Sequence, residues 1–178
     1  MTMTLVSTVT VGAGGASSID FTSIPQTGTD LLIMFSLRSL DNGGPRDYIK
    51  VRFNGITTST YSVRYLEGDG SVAASGVFAN QSYWYTNTGL NGSTSTSNTF
   101  ANSQIYLPNY SSSNAKTGSV DSVSENNATQ AGQTIAAWSS TTTAAITSLS
   151  IIGNTNWAQY STASLYTILK GSGGASVS

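Results

Sequence analysis

Asp121 and Glu125 are the only two acidic residues in the C-terminal half of the chain, within the segment SVDSVSENNAT, and two carboxylates can form a glycosidase site. On one face of a strand they would lie about 13 Å apart, because each residue advances a strand by about 3.3 Å. Retaining glycosidases need about 5 Å between the carboxyl groups, and inverting ones about 6.5 to 9.5 Å. The spacing argues against a catalytic pair. It favours two acids that face solvent or a neighbouring subunit ahead of a turn at Asn126-Asn127.

Two segments rich in oxygen ligands, ENNAT (125–129) and LDNGGPRD (40–47), are candidates for a calcium site. Neither follows the D-x-[DN]-x-[DN]-G order of a calcium-binding loop. Asn and Asp in turns commonly bond their own backbone, so both segments are predicted to be turns. The sequence therefore indicates no metal and no other cofactor, although calcium in a loop stays an open alternative.

The segment GAGGAS (12–17) shares part of the glycine pattern of a dinucleotide-binding loop. Ser17 stands where the third glycine is required, and the following SSIDF predicts a strand. A phosphate cradle needs a helix N-terminus at that point. We therefore interpret GAGGAS as a glycine-rich connection between two edge strands.

Three consecutive aromatic residues, Tyr83, Trp84 and Tyr85, stand beside a segment rich in Ser and Thr (86–99). Successive residues of a strand point to opposite faces, so at least one ring is predicted to face outward or into a neighbouring subunit. The trio has three interpretations: packing between subunits, the core, or stacking against a sugar or a partner protein. With Asp121 and Glu125, these are the candidate contact residues.

The composition excludes several classes of chemistry. The chain of 178 residues has no His and no Cys, which removes the usual proton shuttle, thiolate chemistry and a Ser-His-Asp triad. Charged residues make up 8% of the chain and the net charge is -1, while Ser and Thr fill 55 positions. The seven basic residues are scattered, which argues against nucleic acid as a partner. No apolar run approaches 18 residues, so we expect a soluble protein without a membrane span. Because the residues of the common catalytic groups are missing, we also expect a non-enzymatic protein.

Apolar and polar residues alternate with a period of two between turn residues, which predicts an all-β antiparallel sandwich. The clearest run is DYIKVRFNG, with Ile49, Val51 and Phe53 on one face and a hairpin turn at Asn54-Gly55. Further strands are predicted near 3–11, 16–22, 30–39, 60–66, 76–85, 100–107, 116–124, 133–139, 145–152 and 162–169. Strands 30–39 and 162–169 are expected to lie in the middle of the sandwich.

The chain is predicted to form one domain over residues 1–170, followed by a mobile Gly/Ser-rich tail over 171–178. The segment 86–99 is predicted to be an exposed loop that supplies no core residues, and the segment 109–116 is also predicted to be an exposed loop.

Seven segments, taken in order along the chain, resemble a family of small virion structural proteins of tailed bacteriophages, of the kind found in cyanobacterial viruses. The resemblance runs from about residue 5 to 170, and no single segment is a catalytic signature. The segments are SSIDFTSIPQTGTDLLIMFSLRS, IKVRFNG, YSVRYLEGDG, IYLPNY, SVDSVSENNAT, TAAITSLSI and QYSTASLYTILK.

The resemblance implies a β-sandwich or jelly-roll module that serves on virions as a capsid decoration (cement) protein, a head fibre or a tail-fibre receptor-binding tip, often as a trimer. The chain has neither a heptad stalk nor a long N-terminal anchor, which favours a protein on the shell itself. We expect a non-enzymatic homotrimer on the capsid surface, bound to the major capsid protein. The alternative is a tail- or head-fibre module that recognises a host-surface glycan through Tyr83, Trp84 and Tyr85.

Overall fold

A computed structural model describes residues 2–44, 46–85, 89–125 and 131–170, with Arg46 described by its backbone alone. The turn predicted at Asn126-Asn127, the tail 171–178 and most of ENNAT lie outside the described residues. No helix of the described residues is long and apolar enough to cross a membrane. The strands are β1 (Thr2–Thr10), β2 (Ala16–Phe21), β3 (Asp30–Leu37), β4 (Arg46–Asp47), β5 (Lys50–Phe53), β6 (Tyr61–Gly68), β7 (Ala73–Gln81), β8 (Trp84–Tyr85), β9 (Leu90–Asn91), β10 (Ala101–Leu107), β11 (Lys116–Glu125), β12 (Ala131–Ser140), β13 (Leu149–Trp157) and β14 (Thr162–Leu169).

Two antiparallel sheets form a β-sandwich, as the alternating sequence pattern predicts. The larger sheet has eight strands in the order β1-β14-β3-β10-β11-β12-β6-β7, and the smaller has four in the order β2-β13-β5-β8. The short strands β4 and β9 form a separate pair. The predicted strands 30–39 and 162–169 correspond to β3 and β14, and both lie inside the larger sheet, as expected.

Period-two burial places the core between the sheets. In β12, Thr134, Ala136 and Trp138 are buried while Ile135 and Ala137 are exposed. Each second side chain of a strand points to the same face, so the parity of a residue decides whether it reaches the core or the outer surface.

The hairpin predicted at Asn54-Gly55 is wrong, although the turn exists. Both residues have positive φ, 53° and 64°, and the N–H of Ile56 donates to the carbonyl of Phe53 at 3.1 Å. The chain then crosses to the other sheet, so β5 pairs with β13 and β8, whereas β6 pairs with β12 and β7. Phe53 and Tyr61 meet edge to face across the core, with 5.1 Å between ring centroids. Contact across the sandwich therefore replaces hairpin pairing.

The prediction that segment 86–99 supplies no core residues is also wrong, although Thr94 and residues 96–98 are exposed as predicted. Leu90 and Asn91 are fully buried and form β9. The larger sheet has strands beyond the reach of the smaller one, and β9 packs on the inner faces of β10 and β11. Ser122 in β11 donates a hydrogen bond to the carbonyl of Gly89 at 2.8 Å. The segment therefore covers polar inner surface that the four-stranded sheet leaves open.

The segment 109–116 is exposed at Asn109 and over residues 113–115, as predicted, but it is also anchored in the interior, which the prediction did not include. Tyr110 is buried, and Lys116 is buried at the start of β11. The Lys116 ammonium donates to the carbonyls of Ser112 at 2.7 Å, Asn114 at 2.6 Å and Thr143 at 3.2 Å. Burial lowers the pKa of Lys116, because the charged form loses water. Three backbone acceptors replace that water and hold the loop to the domain.

Candidate protein-contact face

Asp121 and Glu125 lie on the outer face of the eight-stranded sheet, as their parity in the sequence predicts. Both side chains are exposed, while Val120, Ser122 and Ser124 point into the domain. The residues opposite Asp121 on the neighbouring strands are Gln104 and Ile135, neither of which is acidic. Neither neighbouring strand therefore places a second carboxylate opposite Asp121 to complete a glycosidase pair.

The outward side chains around Asp121 form a continuous row across the sheet. Five residues on adjacent strands are paired in register: Leu66 on β6, Ile135 on β12, Asp121 on β11, Gln104 on β10 and Met34 on β3. Leu66 and Ile135 are 63% and 55% exposed, values that are large for apolar side chains on a sheet face. We call this set, with Val123 and Arg64 beside it, the outer row.

Shallow depressions line the outer row. One of about 480 Å³ lies between Leu32, Tyr106, Asp121 and Ile135, and a smaller one of about 200 Å³ lies on the other side of Asp121 against Met34. A third, of about 520 Å³, runs from Leu66 towards the 68–70 turn and Glu125. The face combines exposed apolar groups with a single central carboxylate, which suits contact with another protein better than enclosure of a small molecule.

Trp84 lies in the core, away from any surface a partner could reach. Its ring is fully buried, 4.9 Å from the Phe53 ring and 5.0 Å from the Trp138 ring by their centroids. Its indole N–H donates to the carbonyl of Ser139 at 2.8 Å. Of the three interpretations of the aromatic trio, the core is therefore the one that fits Trp84.

Tyr83 and Tyr85 are half-buried and already have partners within the chain. The Tyr85 ring stacks on Tyr48 at 4.8 Å and meets Phe78 edge to face at 4.7 Å. Burial is the main cause that raises the pKa of Tyr85 well above its ordinary value, and the nearby Tyr48 hydroxyl is the second. The cationic groups of Lys50 and Arg52 lie 5.4 and 5.6 Å from the Tyr83 ring centroid. These partners occupy ring surface that stacking on a sugar would require.

The glycine-rich segment 12–17 forms the tight connection that we expected. The N–H of Gly15 donates to the carbonyl of Gly12 at 3.0 Å, and Gly15 has a φ of 70°. β1 is an edge of the larger sheet and β2 an edge of the smaller, so the segment joins two edge strands. Residues 16–21 are a strand, and no helix N-terminus follows the glycines.

The candidate calcium segment 40–47 contains two carboxylates joined through an amide. The Asn154 amide nitrogen lies 2.5 Å from Asp47 Oδ1 and 3.5 Å from Asp41 Oδ2. Within the described ranges, no group of three or more His, Cys, Asp or Glu side chains is arranged to hold a metal ion. As expected for a turn, the Asp41 carboxylate accepts a hydrogen bond from the N–H of Gly43 at 3.0 Å.

Sequence reasoning missed the outward apolar side chains of the outer row. The signal was present in QTIAAWS, where Ile135 and Trp138 have opposite parity on one strand. If the tryptophan is buried, the isoleucine must face outward.

No family model matches the chain, and comparison with curated proteins and with solved structures found no match. The family resemblance therefore rests on the sequence segments alone, and the fold class rests on the sheets themselves.

Proposed function

We propose that the chain is a non-enzymatic virion structural protein, a capsid decoration protein that binds the head shell through the outer row. The observation that carries the proposal is the set of apolar side chains exposed in register across the eight-stranded sheet around Asp121. Exposed apolar groups on a flat, rigid face commonly mark contacts between proteins. The virion setting, the homotrimer and the major capsid protein as partner come from the family resemblance.

We further propose that the sandwich is an extended jelly roll. Strands β1, β14, β3 and β10 are consecutive in the larger sheet, and β2, β13, β5 and β8 make up the smaller one. Followed along the chain, these eight strands visit the two sheets in the order expected for a jelly roll, an architecture that occurs in viral capsid proteins. Strands β11, β12, β6 and β7 then extend the larger sheet, and this extension carries most of the outer row.

Binding through the outer row predicts a selective effect of Ile135→Asp. The side chain is exposed, so the variant should still fold, with a free energy of unfolding lower by about 1 kcal/mol because Asp is unfavourable in a strand and would stand opposite Asp121. Association with the shell should weaken at least tenfold, because a carboxylate would replace apolar contact area beside Asp121. Co-sedimentation of the purified protein with particles that lack it measures the binding.

The matched control is Val72→Asp, which adds the same charge at an exposed apolar residue in the turn between β6 and β7. The control should bind as wild type does. If Ile135→Asp bound the particles as tightly as the wild-type protein, the outer row would not be the contact.

A decoration protein should also stabilise the shell, because many modest contacts are repeated over the head. Particles that carry the protein should withstand heating and low salt better than particles without it. Equal survival of the two would count against the decoration role.

The alternative is a tail- or head-fibre module that recognises the host surface. Immunogold labelling separates the two placements, since decoration requires many copies over the head whereas tail recognition requires a few copies at the tail. The intramolecular partners of Tyr83 and Tyr85 do not favour these rings as the recognition site.

A further inference from the structure

A separate cavity of about 410 Å³ opens between loops, where the connection between β1 and β2 meets the segments that follow β3, precede β10 and link β13 to β14. Its volume lies in the range of small-ligand pockets. The residues that matter for its chemistry are Gly14, Leu40, Asn98, Phe100, Gln159 and Tyr160. None of them belongs to the outer row.

Tyr160 has an unusual backbone for its side chain. Its φ is 71°, in the left-handed region that bulky residues rarely adopt, and its side chain is 68% exposed. Two hydrogen bonds hold this conformation, from the N–H of Tyr160 to Val11 at 2.9 Å and from the N–H of Ser161 to Ala158 at 3.1 Å. Glycine would take the same conformation without strain. A largely exposed ring contributes little to the core, so packing does not account for a tyrosine here.

The polar groups of the cavity are neutral and available. The side chains of Ser97, Asn98 and Gln159 make no hydrogen bond to another side chain or backbone group in the described part of the chain. Amides offer both donors and acceptors, and the serine hydroxyl offers both as well. Such groups suit a ligand that carries several hydroxyls.

Arg38 is the only charged residue among those that line the cavity, and both of its Nη groups are already engaged. Its guanidinium donates to the carbonyls of Ser93, Ser95, Thr96 and Thr99 at 2.8 to 3.0 Å. An anionic ligand would therefore find no free guanidinium fork to bind it through two parallel hydrogen bonds. The lining predicts an uncharged ligand.

Glycine backbone at Gly14 and Gly15 forms part of the cavity lining. A side chain added at Gly14 would meet nothing within 4 Å, so the space above this residue is open, whereas one at Gly15 would meet the Trp157 carbonyl oxygen at 2.9 Å. A ligand in the cavity can therefore approach the backbone of Gly14, and Tyr160 belongs to the same lining.

From these features we infer that the cavity binds a neutral sugar residue. The apolar face of a pyranose would stack on the Tyr160 ring, and its hydroxyls would bond the amides of Asn98 and Gln159. A carboxylate on the sugar would gain no paired hydrogen bonds from Arg38, because backbone carbonyls already occupy both Nη groups. This inference is independent of the outer row and of the capsid role.

Saturation-transfer-difference NMR tests the inference with the intact protein and a panel of D-glucose, D-galactose, D-mannose, N-acetyl-D-glucosamine and maltotriose, with N-acetylneuraminic acid as the anionic comparison. At least one neutral sugar should show saturation transfer, and it should bind at least fivefold more tightly than N-acetylneuraminic acid. A comparison of the affinities for maltotriose and glucose shows whether the site binds one sugar ring or several linked rings. The absence of transfer to every neutral sugar would overturn the inference.

Two variants locate the binding. Tyr160→Gly relieves the positive φ, so it should fold with an unchanged or slightly higher melting temperature and lose at least tenfold in affinity. Tyr160→Phe keeps the stacking surface and should bind within about threefold of wild type. Sugar binding that survives in Tyr160→Gly, or binding that favours the anionic sugar, would also overturn the inference.

Discussion

Arg38→Met is expected to lower the free energy of unfolding by about 3 kcal/mol, because the guanidinium holds a whole loop by its backbone. Nη1 donates to the carbonyls of Thr96 and Thr99 at 2.8 and 3.0 Å. Nη2 donates to those of Ser93 and Ser95 at 3.0 and 2.9 Å. Methionine fills a similar volume but leaves these acceptors without their donor. Urea unfolding of the purified variant measures the loss.

Burial lowers the pKa of Arg38, because the charged form loses water. The four carbonyl dipoles offset that cost in place of a carboxylate. Methionine avoids the cost of burying a charge, which keeps the expected loss well below the sum of four hydrogen bonds.

Arg38→Lys is the informative control. An ammonium keeps the charge but has three donors on a single atom, so it cannot reproduce the planar fork that reaches all four carbonyls. The free energy of unfolding of Arg38→Lys should lie between those of the wild-type protein and Arg38→Met. The rate of limited proteolysis within 93–99 should increase from wild type through Arg38→Lys to Arg38→Met. A methionine variant as stable as wild type, with an equally protected loop, would show that the segment holds itself in place.

The strands could be predicted because the alternation of apolar and polar residues that marks a strand is visible within a few neighbouring residues. In DYIKVRFNG the parity of Ile49, Val51 and Phe53 is visible in the sequence, and all three are buried. The outward direction of Asp121 followed from the same rule. Burial of alternate residues is a property of the strand itself, so no knowledge of its neighbours is needed.

The loops could not be predicted because their partners are remote. Ser93, Ser95 and Thr96 give no sign in a hydroxyl-rich segment that their carbonyls are bound, since the donor that organises them stands more than fifty residues earlier. The strand partners of β5 depend in the same way on long-range contacts. A turn at Asn54-Gly55 fixes a local reversal, but it does not decide which sheet receives the next strand.

Asp30 is the second residue whose removal should have a large effect. Its buried carboxylate joins three parts of the domain, accepting hydrogen bonds from the Tyr106 hydroxyl at 2.5 Å and the N–H of Asn109 at 3.1 Å. The Lys170 ammonium lies 3.1 Å away. Burial on its own would raise the pKa of Asp30, but these donors together outweigh it and lower the pKa below the ordinary value of 3.8.

A lowered pKa in the folded state gives the sign of the pH dependence. At neutral pH the carboxylate is ionised in both states, and its stabilising contribution is fully present. As the pH falls below about 4, the unfolded chain takes up the proton first, so stability declines until the folded carboxylate is protonated as well. The contribution of Asp30 is therefore lost in acid, as the pH passes through the folded pKa.

Asp30→Asn should lower the free energy of unfolding by about 2 kcal/mol at pH 7, because the Tyr106 hydroxyl loses a charged acceptor in the interior. The difference from wild type should shrink as the pH is lowered from 5 to 2, since protonation removes the same charge from the wild-type protein. Urea unfolding at several pH values measures the difference. Asp121→Asn removes an exposed charge and should change stability little at pH 7. If the Asp30 difference stayed constant down to pH 2, hydrogen bonding to its ionised form could not be the source of its contribution.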